Sequence, residues 1–421
     1  MAQPGVRMQD QNVIGQTEIA VIGAGAVGLS CAYLLARNGH DVTLIAPADD
    51  ENGASYGNAG IIADYAVLPV ATPDVLRNLP ALLFDRKSPL ALRPEVSLVP
   101  WLLRFARETT PARAAANAKA IAALLAPAAA CWQDLAQHIG ARDLLRQFGT
   151  LYLFETEADR RATRLQSYRA HGVRVESLSR DELGQLQPGL PAQVGVGGAF
   201  FPDALTVHDP TQMLRHLRAA VTAAGVQRIT AAVAGLELQA KTVRLTSVQG
   251  MMEAQRVVIC AGAWSRSLAA QAGDKVPLNT ERGYHLEWDS LPAGLVRQMT
   301  PVARGFYFCP MADRLRVAGT VELGGLAAPA SPHRWDALAQ AARAILPDLP
   351  APDLRWMGCR PSLPDSRPVI SVSKAGPQIL HAFGHGHLGL TLAPMTARLI
   401  ADMVAGRAPE LDLTPYRADR F

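Results

Sequence analysis

The feature that most constrains this chain is a glycine-rich turn near its start. Residues 18–47 read EIAVIGAGAVGLSCAYLLARNGHDVTLIAP, so a short apolar run, three glycines at GxGxxG spacing, a helical segment and a second apolar run follow one another. This pattern predicts strand, tight turn, helix and parallel strand, the opening of a dinucleotide-binding fold. Gly23 permits the turn, Gly25 leaves room for a pyrophosphate, and Gly28 lets the helix pack closely on the sheet.

One part of the usual pattern is missing. An acidic residue that accepts hydrogen bonds from the adenosine ribose normally follows the second strand, and this chain has Ala46 there. Asp49, Asp50 and Glu51 lie a few residues later and are the local alternatives. Because residues 46–58 contain no Arg or Lys, nothing nearby favours a 2′-phosphate, and NADP is the least expected dinucleotide.

Length and composition limit the class of protein. A chain of 421 residues with 49% apolar residues predicts two domains with substantial cores. The net charge of +4 is small and its cations are scattered, which argues against a nucleic-acid partner. The five cysteines are odd in number and widely spaced, so they indicate reduced thiols in a cytoplasmic protein and no metal site.

The ends and the apolar stretches carry further expectations. Residues 1–16 are polar and lack an apolar core, which predicts a disordered arm and no signal peptide. No apolar run is long and uninterrupted enough to predict a membrane span. The Ala-rich region predicts one packed helix from Pro111 to about Gly140, and a final helix is expected from Ala393 to Ala405.

Three later motifs stand out. Residues 55–60 read SYGNAG, residues 358–370 read GCRPSLPDSRPVI, and residues 381–394 read HAFGHGHLGLTLAP. Between them, RVVICAG at 256–262 predicts a second buried parallel strand that ends in a glycine turn. From Glu281 onward, short aromatic and β-branched runs predict an antiparallel region.

With the first glycine turn these motifs occur in the order found in one family. The chain resembles the FAD-dependent D-amino-acid dehydrogenases of the D-amino-acid oxidase and glycine oxidase superfamily. The resemblance implies an α/β fold with a Rossmann-like FAD-binding domain and a mixed-sheet (α+β) substrate domain, both discontinuous in sequence. The implied FAD-binding domain comprises residues 17–66, 201–268 and 356–421, and the implied substrate domain comprises residues 67–200 and 269–355.

The resemblance also implies where FAD lies. Its pyrophosphate would contact the first glycine turn, its adenosine the sheet edge, and its ring the SYGNAG loop and the last glycine loop, whose helix would direct its positive end at the ring. The implied FAD-contacting residues are Gly23, Gly25, Ala26, Val27, Gly28, Ser55, Asn58, Ala59, Gly60, Val233, Ala261, Gly262, Gly358, Gly386, His387, Leu388, Gly389, Leu390 and Thr391.

Four residues are the implied substrate site. The arginine of the RP motif, Arg360, would bind the substrate carboxylate as a bidentate fork, and the alternative is a structural ion pair with Asp365. Tyr307 would help to hold the carboxylate, or it is a core aromatic of an alternating strand. His285 is a candidate for the pocket wall, although a lone histidine on a strand is more often structural. His387, in the last glycine loop, would bind the ring or the substrate amine, or only fix the loop.

The implied reaction is hydride transfer from a D-amino acid to FAD, which gives an imino acid and then an α-keto acid and ammonia. D-Proline or D-hydroxyproline dehydrogenation stays open, as does a non-catalytic FAD-bound subunit of an amine oxidase complex. A rival hypothesis is an NAD-dependent dehydrogenase. The electrons from the reduced flavin are expected to pass to dioxygen or to a quinone or electron carrier. The expected location is the cytoplasm, and peripheral contact with the inner face of the membrane stays open. No motif specifies the oligomeric state.

Overall fold

The computed structural model describes residues 13–49, 53–75, 90–93 and 95–421. Of the expected disordered arm at residues 1–16, the first twelve lie outside the described residues. The expectation is wrong for the last four, because the first strand already begins at Val13. There the chain pairs in parallel with Met251 and its successors, a partner far away in sequence.

The strands, in chain order, are β1 (Val13–Ile22), β2 (Val42–Ala46), β3 (Ile61–Ile62), β4 (Leu90–Leu92), β5 (Leu145–Arg146), β6 (Thr150–Phe154), β7 (Glu176–Leu178), β8 (Gly197–Phe201), β9 (Leu205–Val207), β10 (Gln227–Thr230), β11 (Val233–Leu238), β12 (Val243–Ser247), β13 (Gly250–Ile259), β14 (Asn279–Trp288), β15 (Gln298–Pro301), β16 (Phe306–Pro310), β17 (Leu315–Leu323), β18 (Leu354–Ser362), β19 (Val369–Ser373) and β20 (Gly376–Phe383).

The helices are α1 (Ala26–Arg37), α2 (Val99–Glu108), α3 (Pro111–Leu125), α4 (Ala128–His138), α5 (Glu157–Ala162), α6 (Leu165–Ala170), α7 (Arg180–Leu186), α8 (Pro210–Ala223), α9 (Ser265–Gln271), α10 (Pro332–Arg343) and α11 (Gly389–Val404). Short 3-10 turns follow β13 and β20 and close the chain.

The first sheet is doubly wound. Its strand order is β10-β2-β1-β13-β12-β11, with β20 paired to β13 and β19 paired to β20. The pairs of β1 with β2 and β13 are parallel. Alternate residues of β1 face opposite sides: Val21 packs in the core that contains α1 and α11, and Ala20 packs in the core on the other face. These features confirm the predicted dinucleotide-binding architecture.

The second sheet is mixed and mostly antiparallel, in the order β18-β14-β17-β16-β15-β6-β8-β7. One face carries an apolar core closed by α10, in which Trp288, Phe306 and Phe308 are buried. The other face carries the alternate residues, among them Tyr307 and Arg360. A small third sheet, β3-β9-β5, lies beside the SYGNAG loop. The two-domain α/β fold is as predicted, and the exact domain boundaries stay a prediction.

The Ala-rich helix is interrupted. The expected single helix from Pro111 to Gly140 is wrong, because α3 ends at Leu125 and α4 begins at Ala128. Pro127 lies at the junction and has no N–H to continue the helical hydrogen bonds. By length and composition alone Pro111–His138 would suffice to cross a membrane, yet 44% of its most apolar window is buried inside the protein. Buried core helices pass the same test, so no membrane assignment follows.

The last helix begins earlier than expected. α11 starts at Gly389, four residues before the predicted Ala393, and contains Pro394 in its interior. A proline there leaves the carbonyl of Leu390 without its helical donor. The indole Nε1 of Trp132 donates to that carbonyl at 2.9 Å. Because Trp132 is 258 residues distant in sequence, the local pattern gave no sign that the helix continues.

Candidate functional site

One large cavity, of about 1120 Å³, is lined by residues of both large sheets. It brings together three segments that are far apart in sequence: the glycine turn at 23–27, the SYGNAG loop (residues 55–60) and the last glycine loop (residues 384–390). Of the residues expected to contact FAD, the lining includes Gly23, Gly25, Ala26, Val27, Ser55, Asn58, Ala59, Val233, Ala261, Gly262, Gly358, Gly386, His387, Gly389 and Leu390.

Gly28, Gly60, Leu388 and Thr391 are absent from that lining. Gly28 instead serves packing, because a Cβ at this position would lie 1.8 Å from the carbonyl oxygen of Gly23. The Thr391 hydroxyl accepts a hydrogen bond from the N–H of Ala63 at 3.0 Å. These residues therefore hold the segments that line the cavity and do not line it themselves.

The first glycine turn has the geometry that its sequence requires. Gly23 has a φ of +108°, and a Cβ there would lie 2.4 Å from the carbonyl oxygen of Cys260. The hydroxyl of Ser55 accepts a hydrogen bond from the N–H of Ala26 at 3.0 Å. Ser55 thus satisfies one free donor at the start of α1 and joins the SYGNAG loop to the turn.

The SYGNAG loop is fixed by hydrogen bonds to its backbone carbonyl groups. Five consecutive carbonyl groups, those of residues 56–60, each accept a hydrogen bond from a residue outside the loop. The donors are Arg316 to the Tyr56 and Asn58 carbonyls, His285 to Gly57, Gln298 to Ala59, and the backbone N–H of Val207 to Gly60. Four of these carbonyl groups turn toward the second sheet and that of Gly60 turns toward β9, so the loop presents its other backbone groups to the cavity.

Arg316 is the main anchor of this arrangement. Its side chain is 4% exposed and bonds Glu287 through Nε at 2.6 Å and Nη2 at 2.5 Å. Burial lowers the pKa of Arg316, and the carboxylate of Glu287 opposes that shift. Arg314 also contacts Glu287, at 3.3 Å. Sequence reasoning missed this network because RVAGT reads as an ordinary strand; a charged residue among apolar neighbours was the available signal.

His285 lies behind the loop. It is absent from the cavity lining and is 2% exposed, so its part in the pocket wall stays a prediction. Its Nδ1 lies 3.1 Å from the Gly57 carbonyl, and its ring stacks on Trp356 at 4.7 Å. Burial and the nearby charge of Arg316 hold the pKa of His285 well below its usual range, so the neutral ring donates from Nδ1.

The substrate end of the cavity contains Arg360. Its guanidinium lines the cavity and donates to the carbonyl of Thr320 at 3.4 Å. Within the described part of the chain Arg360 has no ion-pair partner within 4 Å. The alternative pairing with Asp365 is excluded, because that carboxylate binds Arg367 at 2.9 Å and Arg420 at 2.7 Å. A cation with no carboxylate within ion-pairing distance is the group that an anionic ligand needs.

Two neighbours of Arg360 were missed from the sequence. Glu281 is opposite Arg360 in the strand register, lines the cavity and is 8% exposed. Burial raises the pKa of Glu281, while Arg360 opposes the shift. Thr320 has a φ of +55°, and its buried hydroxyl has no hydrogen-bond partner among the described residues. A strained residue with an unpaired hydroxyl is typical of a ligand site.

The last glycine loop carries two neutral histidines. Burial lowers the pKa of His385 to about 3, and its Nε2 lies 3.0 Å from the Thr396 hydroxyl. Burial, followed by the charge of Arg360, lowers the pKa of His387 to about 4. His387 is open to the cavity, whereas His385 is 3% exposed. Both rings are therefore uncharged near neutral pH, and both line the cavity, where His387 is the more exposed of the two.

Tyr307 lines the cavity on β16, three strand steps from Arg360 on β18. Its hydroxyl is close to those of Tyr65 and Tyr152, and burial raises the pKa of Tyr307 to about 12. Tyr307 also packs against a core cluster that contains Tyr65 and Phe201, so the alternative of a core aromatic stays open. Its part in holding a carboxylate stays a prediction.

The adenosine end of the cavity contains a carboxylate. Ala46 is 1% exposed and packs in the core beside α1, so it contributes no polar group. Asp49 lines the cavity three residues later, as do Pro47, Val233 and Ala261. The two other acidic alternatives, Asp50 and Glu51, lie outside the described residues.

The hydrogen-bond donors that line the cavity fit FAD. The backbone N–H groups of Gly57, Asn58 and Ala59 have no hydrogen-bond partner among the described residues, although these residues line the cavity. The start of α11 also faces the cavity at Gly389 and Leu390, and no acidic residue occupies its first turn. Unpaired donors and a helix N-terminus match the acceptor-rich edges of a flavin and the phosphates of a dinucleotide.

Comparison with known proteins also indicates an FAD-binding protein. Residues 18–403 match the family described as FAD dependent oxidoreductase. A D-amino-acid oxidase of Bradyrhizobium diazoefficiens is 34% identical over 417 residues, covering 96% of this chain and 98% of the relative. D-amino acid dehydrogenase 2 of Ralstonia nicotianae is 33% identical, covering 96% and 100%.

A solved structure agrees with the fold. The crystal structure of glycine oxidase from Geobacillus kaustophilus superposes with a TM-score of 0.77, at 22% identity, over 96% of this chain and 99% of that chain. The family match covers nearly the whole chain, and the cavity has the donors that FAD requires. This chain therefore belongs to the family of FAD-dependent oxidoreductases.

Proposed function

We propose that the protein oxidises D-amino acids. The observation that carries the proposal is Arg360, a guanidinium with no carboxylate within 4 Å among the described residues, which lines the same cavity as the SYGNAG loop and the last glycine loop. Guanidinium presents two parallel N–H donors that match a carboxylate. Relatives named for D-amino acids at 33–34% identity over nearly the whole chain supply the substrate class.

The substrate is oriented by groups of this chain. Arg360 binds the α-carboxylate, which places the α-carbon between the second sheet and the two loops. His387 has its pKa lowered to about 4, so its neutral ring accepts a hydrogen bond from the substrate amine near neutral pH. The apolar cavity lowers the pKa of that amine and so favours its neutral form. Positioning and desolvation are therefore the main contributions of the protein.

Bound FAD supplies the acceptor for the hydride that leaves the α-carbon. The amino acid loses this hydride and one N–H proton and becomes an imino acid, and water then hydrolyses the imino acid to an α-keto acid and ammonia. The SYGNAG loop would contribute N–H donors from Gly57, Asn58 and Ala59. The N-terminus of α11 would stabilise the negative charge that hydride transfer creates.

The proposal is tested by anaerobic titration of the purified holoprotein with paired enantiomers. We expect D-amino acids to bleach the visible flavin absorbance and to yield the α-keto acid and ammonia in equal amounts, while the L-enantiomers leave the spectrum unchanged. A flavin that no D-amino acid reduces would overturn the proposal and would favour a non-catalytic FAD-bound subunit. Reduction by D-proline alone would favour the cyclic-amine alternative.

We further propose an electron acceptor of either of two kinds, dioxygen or a quinone or carrier protein. The names of the relatives support both, since they include an oxidase and dehydrogenases. Hydrogen peroxide release in air, compared with reduction of a soluble quinone without oxygen, separates the two. We also propose a cytoplasmic location, which the five free cysteines support.

A further inference from the structure

Four tyrosines line one end of the cavity. Tyr65 follows β3, Tyr152 lies on β6, Tyr168 lies on α6 and Tyr307 lies on β16. We call them the tyrosine cluster. Sequence reasoning singled out only Tyr307, because the other three come from segments with no recognisable motif.

The rings of the cluster are fixed by aromatic packing. Phe201 stacks on Tyr65 with ring centroids 4.5 Å apart and meets Tyr152 at 4.7 Å. Tyr152 meets the ring of Tyr65 edge-on at 6.1 Å and that of Tyr168 at 6.2 Å. Phe201 is 1% exposed and supports the cluster from behind. The cluster is thus a preformed aromatic wall, which binds a ligand at a low entropic cost.

The cluster carries no formal charge. Burial raises the pKa of all four tyrosines, to about 12 for Tyr307, so their hydroxyl groups stay protonated. Among the described residues that line the cavity, only Asp49, Glu281 and Arg360 carry charged side chains, apart from the histidines. A charged ligand group buried against the cluster would therefore lose its hydration without gaining an opposite charge.

One hydroxyl of the cluster is unpaired. Tyr65 is 2% exposed, and its Oη makes no hydrogen bond of standard geometry to any described residue. The hydroxyls of Tyr307 and Thr150 are nonetheless close enough to affect the pKa of Tyr65. A buried hydroxyl without a well-formed hydrogen bond can turn its O–H toward an acceptor on a ligand.

The cluster and Arg360 lie at different ends of the substrate space. The strand order β18-β14-β17-β16 separates Arg360 from Tyr307 by three steps. Neighbouring strands are about 4.8 Å apart, which makes the separation of these strands about 14 Å. Both residues line the cavity, and the register sets Tyr307 level with Trp356, four residues before Arg360 along β18. An α-amino acid with its carboxylate at Arg360 reaches the cluster only if its side chain is several carbons long.

We propose that the tyrosine cluster selects D-amino acids with large, uncharged aromatic side chains. The inference rests on the proposed function, because it takes Arg360 as the carboxylate site. Edge-to-face contacts with fixed rings favour an aromatic group, and the neutral wall disfavours a second carboxylate or an ammonium group. The Tyr65 hydroxyl adds a donor for a phenolic or other neutral acceptor at the end of that side chain.

The test uses the holoprotein and three unreactive acids: 3-phenylpropanoate, propanoate and succinate. Each is titrated while the flavin absorbance is followed, so binding is read without turnover. We expect 3-phenylpropanoate to bind with a Kd at least about ten-fold below that of propanoate. Succinate is expected to bind no more tightly than propanoate. Tighter binding of succinate, or equal Kd values for 3-phenylpropanoate and propanoate, would overturn the proposal.

A matched pair of variants locates the effect. Tyr152→Leu removes the ring at the centre of the cluster and should abolish most of the preference for 3-phenylpropanoate over propanoate. Tyr33→Leu makes the same change on α1, in the core outside the cavity, and should leave the ratio of the two Kd values unchanged. A preference that survives Tyr152→Leu in a folded, flavin-loaded variant would contradict the assignment.

The outcomes also separate the two proposals. Reduction of the flavin by D-alanine as readily as by D-phenylalanine would contradict the aromatic selection and leave the proposed function intact. A flavin that neither D-amino acid reduces, in a protein that binds 3-phenylpropanoate as expected, would contradict the proposed function and leave the aromatic site intact.

Discussion

The glycine turn at residues 23–28 and the SYGNAG loop at residues 55–60 both consist of small residues that line the cavity, yet they are held in different ways. The turn is shaped by its own glycines, which admit contacts that a Cβ would prevent. The loop is shaped by distant side chains, since Arg316, His285 and Gln298 bind its carbonyl groups. The conformation of the turn is therefore determined by its local sequence, whereas that of the loop depends on the whole fold.

The largest loss of stability is expected from a substitution that releases the SYGNAG loop. Arg316→Met leaves the buried carboxylate of Glu287 with Arg314 as its remaining arginine partner and frees two loop carbonyls, so we expect the free energy of unfolding to fall by about 3 kcal/mol. FAD occupancy should fall with it. Urea unfolding and the ratio of flavin to protein measure both.

The control for this variant is Arg244→Met, which removes an ion pair with Glu253 on the first sheet. The Arg244 side chain is 38% exposed, so its loss should cost no more than about 1 kcal/mol. If Arg316→Met is as stable and as fully loaded with FAD as the control, the loop is not held from the second sheet and the comparison fails.

The next largest loss of stability is expected from a substitution in the first glycine turn. Gly28→Ala places a methyl group 1.8 Å from the Gly23 carbonyl oxygen, so the backbone must move, at a cost of about 2 to 3 kcal/mol. FAD affinity should fall because the turn shifts. Gly184→Ala in α7 is the control, since its Cβ would meet only the end of the Arg180 side chain. Unchanged FAD affinity in Gly28→Ala would show that the turn tolerates movement.

A third test concerns the last glycine loop, which depends on a buried neutral ring. His385 has a pKa of about 3 in the folded protein, against an ordinary value of 6.5. As the pH falls below 6.5 the unfolded chain takes up a proton that the folded protein does not, so stability is lost. From pH 7 to pH 5 this one group should cost about 2 kcal/mol.

The variant that isolates the contribution of His385 to this loss of stability is His385→Asn, which retains a polar group toward Thr396. We expect its unfolding free energy to fall by about 2 kcal/mol less than that of the unmodified protein between the same two pH values. Urea unfolding at each pH gives the difference. Equal losses in the two proteins would mean that His385 takes up a proton in the folded state.

The smallest expected effect is at the adenosine end. Asp49 lines the cavity where Ala46 offers no acceptor, and we propose that it accepts a hydrogen bond from the ribose. Asp49→Ala should raise the Kd for FAD about five-fold, or about 1 kcal/mol. Asp134→Ala, at an exposed position of α4, is the control. An unchanged Kd would show that backbone groups hold the ribose.

The sequence predicted the parts of this molecule whose causes are local. The GxGxxG spacing was enough to place the end of β1, the helix α1 and the strand β2, because each glycine is required sterically within the same segment. Arg360 was found because the RP motif contains it. The break at Pro127 was within reach of the same reasoning and was missed.

The other features that differ from the predictions, or that were missed, have distant causes. α11 continues through Pro394 because Trp132 satisfies the Leu390 carbonyl, and no local pattern contains that contact. His285 binds the Gly57 carbonyl because β14 passes behind the SYGNAG loop, which only the sheet order reveals. The tyrosine cluster likewise combines residues from four separate elements.

The central claim is that Arg360 binds the substrate carboxylate over the flavin. Its most direct test is the substrate dependence of anaerobic flavin reduction in Arg360→Lys, with FAD content measured on the same samples. Because lysine offers no planar fork, we expect substrate binding to weaken by about 2 to 4 kcal/mol, a rise in the apparent Kd for a D-amino acid of roughly 30- to 800-fold, while FAD stays fully bound. An apparent Kd equal to that of the unmodified protein would contradict the claim.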